Sequence, residues 1–554
     1  MVTGYRYDPT AFKEVFERHF TYLAGFERNV HRYESSPALS DLATGRSWTY
    51  AELGADVDRL AAGFFASGLR PGDVVVFQLY NSPEFALTWL ACQRLAVTAT
   101  PINFRLSPGE SAYILDDSRP QMFVYDATLA GPVAEALSMA AHRPPRLVAV
   151  GRPGDGESGA PEPVASFSDL LTADHPAPPW PDQLRCFDES TRLYTSGTTG
   201  MPKGVSLNSA VEVLTAHDVI MHFPLGPQDK TLNMTPWFHR GGLYSGGPNP
   251  TFYVGAEAVA MRTFDPAGVL DAVVTHGLTF LIGAPTNLNL LAHAQESQPR
   301  DLSTLRGIVT MGAPLERQAC LRYQEVLTPN IFNGYGTTEA FWNTFLRPAD
   351  LPEHAGTAGR ACTDDDVAVV KVYPDRAADP SDRVSKNGTE VGEVIVRSVK
   401  SGYRYVNQPE EEAGRFHDGW LYIGDLATWD EDEYVTIVGR KDDMIISGGE
   451  NVHPVQVEET LNSMPGVLDS LVVGMPDDRW GEVVVAYVRR ADDVVTAEAC
   501  DAYCRAHPML ADFKRPRTYR FVDELPMTAT GKKMHFRLRN QVAADSEAGL
   551  LERP

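Results

Sequence analysis

Apolar residues in the first 150 positions recur with two different spacings. The stretch "SWTYAELGADVDRLAAGFFASGL" (47–69) repeats them at helical intervals, whereas the compact run "DVVVFQLY" (73–80) is typical of a buried strand. The turn-forming residues Arg70, Pro71, Gly72 and Asp73 separate the two. Because strands alternate with helices here, the pattern predicts a largely parallel sheet with helices on both faces.

The alternation resumes after residue 200 and then changes twice. The runs "LTFLIG" (278–283) and "LRGIVTMG" (305–312) continue the α/β pattern. Short alternating runs from about Val367 predict a small antiparallel, β-barrel-like unit, and a mixed pattern with a charged, helix-forming tail begins near Lys441. We therefore predict an α/β fold with two parts. Residues 1–440 form a large N-terminal domain of layered α/β subdomains plus the barrel-like unit, and residues 441–554 form a small α+β C-terminal domain.

Length and charge limit the classes of function. The chain has 554 residues, more than the roughly 250–300 at which single cores stop growing, so several domains are expected. Its formal net charge of −24 argues against binding nucleic acid or anionic membranes, because both need clustered positive charge. The sequence shows neither an apolar run of membrane-spanning length nor a signal peptide. Six scattered cysteines suit free thiols, and we predict a cytoplasmic protein without a transition-metal site.

The stretch "YTSGTTGMPKG" (194–204) combines glycines, hydroxyls and one lysine. Glycine lets the main chain approach a ligand, and exposed N–H groups and hydroxyls suit phosphate oxygens. The spacing fits neither a Walker loop nor a dinucleotide fingerprint. A flexible linker is the alternative, but a chain that continues with helical spacing, "VSLNSAVEVLTAHDVI", follows at once. The stretch is predicted to hold an anion.

Two further stretches carry acids beside glycines. In "NGYGTTEA" (333–340) Glu339 could hold Mg²⁺ and Tyr335 offers a flat face for a base, although Thr-Thr-Glu could equally start a helix over "AFWNTF". In "DGWLYIGDLA" (418–427) Asp425 could accept two bonds from a ribose, or it could belong to a simple turn.

Three more stretches each have a structural alternative. His239 in "TPWFHRGG" (235–242) is either a catalytic group or a core residue. The charged residues in "GRKDDMIISGGENVHP" (439–454) form either a solvated face or a hinge at the change of pattern. Lys532 in "PMTATGKKMHF" (526–536) is either functional or simply exposed.

Taken together and in this order, these motifs resemble the adenylate-forming superfamily of acyl- and aryl-CoA synthetases, luciferases and peptide-synthetase adenylation domains. The likeness to 4-chlorobenzoate CoA ligase-like synthetases covers nearly the whole chain. It implies that the glycine-rich loop wraps the β- and γ-phosphates of ATP. The residues that would bind the nucleotide are Thr195, Ser196, Gly197, Thr198, Thr199, Gly200, Lys203, Gly312, Ala313, Pro314, Gly334, Tyr335, Gly336, Thr337, Asp425 and Arg440.

The resemblance also assigns catalytic roles. Lys532 would bridge the carboxylate and the α-phosphate, and His239 would border the acyl pocket and the approach of the thiol. Thr338 would contact the α-phosphate, and Glu339 would hold Mg²⁺. Asp442 would be the hinge about which a mobile C-terminal domain rotates. The residues expected near coenzyme A are Gly448, Gly449, Trp480, Phe513 and Arg515.

These roles imply an acid–thiol ligase that uses ATP, Mg²⁺, coenzyme A and a small carboxylic acid. The aromatic residues Phe238, Phe341 and Trp342 suggest an aromatic or apolar acid, although they could equally be core. Adenylation with another acceptor is the alternative, either a carrier-protein thiol or an amine diazotised with activated nitrite. A degenerate ATP-binding scaffold is a third reading. The sequence identifies neither the acid nor the oligomeric state, and it does not decide whether the chain forms a homodimer.

Some positions depart from the family pattern. Arg192 stands where an apolar strand residue is usual, Ile423 replaces a threonine, and Arg404 stands where tryptophan is common. The segment "KKMHFRLR" that begins at Lys532 is also atypical. None of these departures removes an essential contact, but Ile423 and Arg404 bear on the identity of the acid.

Overall fold

A computed structural model describes residues 9–151, 165–178, 185–196, 202–373, 376–447, 450–477, 479–507, 510–527 and 533–554. The α-helices in these ranges are, in chain order, α1 (Pro9–His19), α2 (Tyr22–Arg32), α3 (Tyr50–Ala66), α4 (Pro83–Arg94), α5 (Pro108–Ser118), α6 (Ala130–Met139), α7 (Phe167–Thr172), α8 (Ser209–His222), α9 (Arg240–Tyr244), α10 (Pro248–Val254), α11 (Pro266–His276), α12 (Pro285–Ser297), α13 (Arg317–Val326), α14 (Pro409–Arg415), α15 (Pro454–Asn462), α16 (Ala497–Ala506) and α17 (His535–Glu547). None of them combines the length and apolar content that crossing a membrane requires.

The strands of the same ranges are β1 (Pro37–Asp41), β2 (Ser47–Thr49), β3 (Val74–Gln78), β4 (Thr98–Pro101), β5 (Met122–Asp126), β6 (Arg146–Val150), β7 (Ala165–Ser166), β8 (Glu189–Ser196), β9 (Pro202–Asn208), β10 (Lys230–Asn233), β11 (Glu257–Ala260), β12 (Phe280–Gly283), β13 (Gly307–Met311), β14 (Ile331–Thr337), β15 (Phe341–Leu346), β16 (Arg360–Ala361), β17 (Asp365–Val370), β18 (Gly392–Ser398), β19 (Phe416–His417), β20 (Trp420–Trp429), β21 (Val435–Arg440), β22 (Ile445–Ser447), β23 (Glu450–Val452), β24 (Val467–Asp477), β25 (Gly481–Arg490) and β26 (Thr518–Phe521).

Two large sheets carry the α/β part. One has the order β16-β15-β14-β13-β12-β10-β11-β1-β2, and the other has the order β7-β6-β5-β3-β4-β8-β9. Their inner strands pair in parallel, and antiparallel pairs such as β14 with β15 and β8 with β9 lie toward the edges. The parallel sheets predicted from the alternating pattern are therefore confirmed.

Two smaller sheets follow along the chain. Strands β17, β18, β20, β19 and β21 pair antiparallel, as the short alternating runs predicted. The last sheet joins β22 to β26, with β25 and β26 parallel and the other pairs antiparallel. The predicted fold class is confirmed. The boundary after Arg440 stays a prediction, and at that point β21 ends in a 3-10 turn, Lys441–Asp443.

Helix α3 shows how the sequence pattern builds the core. Its residues Leu53, Val57, Leu60 and Phe64 lie three or four positions apart, and all four are buried. Thr49 caps the helix and shares a capping box with Glu52, so the amides of both residues are hydrogen-bonded. Burial of this face holds α3 against the neighbouring elements of the layer.

The structure decides one alternative that the sequence left open and corrects one interpretation. The stretch "AFWNTF" does not start a helix, because Phe341–Leu346 forms β15, whose six residues are all buried. Aromatic and β-branched side chains suit this pleated environment. The stretch "VSLNSAVEVLTAHDVI" begins inside β9 and becomes helical only at Ser209, after Asn208 caps α8.

Candidate active site

The parallel neighbours β13 and β14 end at the same edge of the large sheet. Met311 pairs with Gly334, so the segment after β13 and the last residues of β14 lie side by side. Gly312 follows β13 with a positive φ of 86°, a conformation that favours glycine. Ligands of open α/β sheets bind beyond the carboxyl ends of the strands. The predicted base-side residues, Gly312, Ala313, Pro314 and Tyr335, therefore share one edge.

The predicted phosphate loop connects β8 to β9. Thr195 pairs with Lys203 across this hairpin, while residues 197–200 and the side chain of Ser196 lie outside the described part. The Lys203 side chain is buried, and its ammonium forms an ion pair with Glu411 of α14. It also lies 5.9 Å from the centre of the Tyr405 ring. The structure thus directs the one lysine of the motif toward two residues that sequence reasoning missed.

Tyr405 joins the phosphate hairpin to the predicted Mg²⁺ ligand. Its backbone bridges Val205 of β9, and its hydroxyl donates a 2.6 Å hydrogen bond to Oε1 of Glu339. Burial and the Glu339 carboxylate raise the pKa of Tyr405, so the hydroxyl keeps its proton at neutral pH. The departure at Arg404 was the only nearby signal in the sequence. Two motifs that are distant in sequence therefore meet through one side chain.

The predicted ribose ligands also come together. Asp425 and Arg440 are paired residues of β20 and β21, and their side chains form a 3.0 Å ion pair. The Tyr335 hydroxyl donates a 2.8 Å hydrogen bond to Oδ2 of Asp425. Burial, together with this carboxylate, raises the pKa of Tyr335. This hydrogen bond connects the end of β14 to the antiparallel sheet that contains Asp425.

The glycines of the "YGTTE" region have a packing reason of their own. A side-chain carbon on Gly334 would press on the ring of Trp342, and one on Gly336 would collide with the carbonyl of Phe341. Close approach of β15 to β14 therefore requires both glycines. Thr337 accepts a 3.2 Å hydrogen bond from the amide of Ala340, which shapes the turn that carries Thr338 and Glu339. Direct contact of these glycines with a nucleotide stays a prediction.

His239 lies half-buried at the start of α9. Its ring is 4.2 Å from that of Phe238, and the Phe238 ring is 5.4 Å from Phe104. Phe341 and Trp342, which suggested an aromatic acid, are core residues with 2% and 3% exposure. Phe238 is also buried in this core, at 4% exposure, whereas Phe104 is only partly buried.

The residues expected near coenzyme A have unlike environments. Trp480 and Phe513 are 46% and 38% exposed, as a surface that binds a ligand would require. Arg515 is buried, and its guanidinium pairs with Asp501 and with Asp512. That guanidinium is thus already engaged within the C-terminal part. Asp442 lies in the 3-10 turn after β21, and Gly448, Gly449 and Lys532 lie outside the described residues.

Lys533, the neighbour of Lys532, lies between two acidic side chains. Its ammonium pairs with Glu458 at 3.1 Å and with Asp469 at 2.9 Å. Glu316, one residue beyond the "MGAPL" segment, lies close to this cluster. Burial raises the pKa of Glu316, while the charge of Lys533 and a hydrogen bond from Asn462 oppose the rise. The atypical second lysine therefore belongs to a charged cluster that lies close to Glu316, four positions beyond Gly312.

The departures at Arg192 and Ile423 are accommodated locally. The guanidinium of Arg192 pairs with Glu189 at 2.7 Å, which satisfies an otherwise buried cation. Ile423 is buried in the core of the antiparallel unit.

A buried cluster of three side chains resembles a metal centre. Asp218, His222 and Cys362 place ligand atoms within 4.8 Å of one another. The Lys400 ammonium already lies there, 2.9 Å from Asp218 and 2.7 Å from Asp365. A metal cation would have to displace that charge, so we interpret the cluster as a buried ion-pair network.

Profiles of two known families match this chain. That of the AMP-binding enzyme family covers residues 26–404, and that of the AMP-binding enzyme C-terminal domain covers residues 456–532. The chain belongs to the AMP-binding enzyme family. The predicted resemblance and the prediction of an enzyme of this class are thereby confirmed.

The similarity to individual relatives covers nearly the whole chain. Feruloyl-CoA synthase of Amycolatopsis sp is 34% identical over 515 residues, which is 92% of this chain and 98% of that protein. The fatty acid–[acyl-carrier-protein] ligase ScoC of Streptomyces coeruleorubidus is 32% identical over 519 residues, which is 92% of this chain and 94% of that protein. The crystal structure of the anthranilate CoA ligase AuaEII in complex with anthranoyl-AMP superposes with a TM-score of 0.84 at 26% identity and covers 96% of this chain and 98% of that one.

Proposed function

We propose that the chain is an AMP-forming acid–thiol ligase that activates a carboxylic acid with ATP and passes the acyl group to coenzyme A. The observation that carries this proposal is the meeting of Lys203, Glu339 and the Tyr335–Asp425–Arg440 group around the ends of β13 and β14. A cation, a metal-binding carboxylate and a pair of sugar-binding side chains are what a nucleoside triphosphate requires.

In the first half-reaction a carboxylate oxygen attacks the α-phosphorus. The bond from that phosphorus to the β-phosphate oxygen breaks, and pyrophosphate leaves. Both reactants are anionic, so the barrier is largely electrostatic, and the protein must supply positive charge and alignment. Lys203 would hold the leaving phosphates, Thr338 the α-phosphate, and Lys532 the reacting carboxylate.

The site fits Mg²⁺. Glu339 offers one half-buried carboxylate with an oxygen already held by Tyr405. Mg²⁺ is commonly bound by one or two carboxylates together with substrate phosphates. When bound, the ion would neutralise charge on those phosphates.

In the second half-reaction the thiol sulfur of coenzyme A attacks the acyl carbon. The bond from that carbon to the AMP oxygen breaks, and the thiol proton is released. Exposed Trp480 and Phe513 would contact coenzyme A after the part beyond Asp442 rotates. The ion pairs of Arg515 would have to open for a similar role.

An aromatic or apolar acid is the substrate class we infer. The partly buried ring of Phe104, which packs against Phe238 next to His239, supports it. The names of the feruloyl-CoA synthase and of the anthranilate CoA ligase also describe aromatic acids.

Acid-dependent exchange between ATP and pyrophosphate tests the proposal. We would compare benzoates, cinnamates, fatty acids and nitrite, with and without coenzyme A, in the native protein and in Lys532→Ala. Exchange with one carboxylic acid, reduced on the order of 10²–10³ in the variant and converted to thioester by coenzyme A, is expected. Lys13→Ala, which removes an exposed lysine of α1, is the matched control and keeps full activity. No exchange with any acid would refute the proposal.

A carrier-protein thiol is the second candidate acceptor. The similarity to a fatty acid–[acyl-carrier-protein] ligase favours it. Exchange that coenzyme A does not convert to thioester, followed by acyl transfer to a phosphopantetheinylated carrier protein, would identify it. Exchange elicited by nitrite alone would point instead to diazotisation of an amine.

A further inference from the structure

Arg240 is a buried cation directly after His239. It is the first residue of α9 and is only 4% exposed. Long cationic side chains are almost never fully buried unless they are paired. Among the described residues, however, no carboxylate lies within ion-pair distance of its guanidinium. The burial of the Arg240 guanidinium is therefore not explained by an ion pair.

Its hydrogen bonds reach three separate segments. Nη1 donates to the carbonyl oxygen of Thr338 at 2.9 Å. Nη2 donates to Oγ1 of Thr215 and to the carbonyl oxygen of Lys400, both at 3.1 Å. The guanidinium thus bridges the loop of the "YGTTE" motif, helix α8 and the segment after β18.

Two of these three acceptors belong to a fixed frame. The Lys400 ammonium is held by Asp218 at 2.9 Å, by Asp365 at 2.7 Å and by the carbonyl of Trp342 at 2.6 Å. Asp218 lies one turn beyond Thr215 on α8. Buried ion pairs with several partners resist displacement. The Thr338 carbonyl is therefore fixed against a rigid support rather than against another loop.

The charge of Arg240 persists at neutral pH. Burial lowers its pKa to about 10, while Tyr244, Glu212 and Glu339 favour the charged form. The rings of Tyr244 and Phe341 lie 5.1 and 5.6 Å from the guanidinium carbon. Its Nε is buried and has no hydrogen-bond acceptor in the described ranges. Keeping such a group buried is costly, so packing alone does not account for it.

We propose that Arg240 is a positioning residue for the nucleotide: by holding the Thr338 carbonyl it fixes the peptide from which Glu339 projects. The carbonyl of Thr338 and the amide of Glu339 belong to one planar peptide unit, so holding the oxygen fixes the direction of the Glu339 backbone. The inference rests on the proposed function, because it concerns the same site and its use of Mg²⁺.

ATP affinity measured calorimetrically in the full-length protein without acid tests this role, once with Mg²⁺ and once with EDTA. The factor by which Mg²⁺ increases ATP affinity should be about tenfold smaller in Arg240→Met than in the native protein. The turnover of pyrophosphate exchange should fall about 10²-fold, as misplacement by about 1 Å predicts. Arg240→Lys keeps the positive charge but loses the planar guanidinium with its several donors. Its values should lie between those of the native protein and those of Arg240→Met.

Thr215→Val is the matched control. It removes one bond of the same guanidinium but leaves the bond to Thr338, so the gain from Mg²⁺ should stay within about twofold of native. A purely structural Arg240 would lower the folded fraction without changing that gain. If Arg240→Met does not fold, Arg240→Lys decides the question.

An unchanged Mg²⁺ gain in a folded Arg240 variant would overturn the inference. A rise confined to the KM of the acid would overturn it as well, and would place Arg240 in the acid pocket instead. The binding measurement needs no acid, so it remains informative if exchange fails with every acid and the proposed function is lost.

Discussion

Lys203 of the phosphate hairpin and Lys533, which lies close to Glu316, have different environments. Lys203 has one carboxylate partner among the described residues, Glu411, whose side chain is 33% exposed. Lys533 has two, Glu458 and Asp469, and the Glu458 side chain is only 5% exposed. A lysine with a single, solvated partner can exchange that partner for a phosphate at little cost. A lysine enclosed by two acids holds the structure together, and a lysine's environment, rather than its motif, indicates which of these it does.

Lys533→Met gives the largest expected effect. It leaves Glu458 buried without its main cation, and breaking a buried ion pair in this way costs about 3–5 kcal/mol. The free energy of unfolding of the transition that includes the C-terminal part, followed in urea, should fall by that amount. Lys386→Met removes a lysine paired at the surface with Glu433 and should change it by less than about 1 kcal/mol. Equal losses of stability in Lys533→Met and Lys386→Met would show that Lys533 stabilises the fold no more than a lysine paired at the surface.

Lys203→Met should show the opposite pattern. Its partner Glu411 is 33% exposed and can be hydrated, and methionine retains most of the buried apolar stem, so stability should fall by less than in Lys533→Met. Pyrophosphate exchange should fall on the order of 10²–10³ because a contact to the leaving phosphates is lost. Thermal unfolding and exchange measured on the same sample check both. A variant that keeps exchange within a few-fold of native would remove Lys203 from the site.

Part of this comparison could be predicted from the sequence. The family resemblance implied that Lys203 and Glu339 both face ATP, so their meeting was expected even though their strands belong to different sheets. The partners Tyr405, Glu411 and Glu316 could not be predicted, because their contacts join residues far apart in the chain. Lys203 and Glu411, for example, are 208 positions apart. The sequence did not decide whether a helix starts after Glu339. The structure shows a strand there, because Phe341 and its neighbours are buried in the sheet.

Acidification should release the Lys533 cluster. Burial alone would raise the pKa of Glu458, but Lys533, His535 and the amide of Val472 lower it to about 2. A carboxylate whose pKa is depressed by folding contributes stability above its unfolded pKa, and that stability is lost as pH falls through the folded pKa. About 3 kcal/mol should therefore disappear between about pH 4.5 and 2.

The midpoint of urea unfolding between pH 6 and 2 measures this loss. Glu458→Gln lacks the titrating group and should show a flatter pH profile, with lower stability at neutral pH. If the two profiles have the same slope, then Glu458 does not carry the acid sensitivity and the cluster is less tightly coupled than its geometry indicates.

Glu411→Gln should give the smallest effect and the most specific one. If Lys203 binds ATP phosphates, then the Glu411 carboxylate competes with them for the same ammonium. Partly exposed ion pairs contribute about 0.2–1 kcal/mol, so removing the charge should lower the KM for ATP about 1.5-fold to fivefold at unchanged kcat. Glu410→Gln, next to it on α14, removes the same charge without the contact and should leave that KM at its native value. A KM that rises in Glu411→Gln would mean that the carboxylate orients Lys203 for the nucleotide, so the single-partner lysine would be preorganised rather than exchangeable.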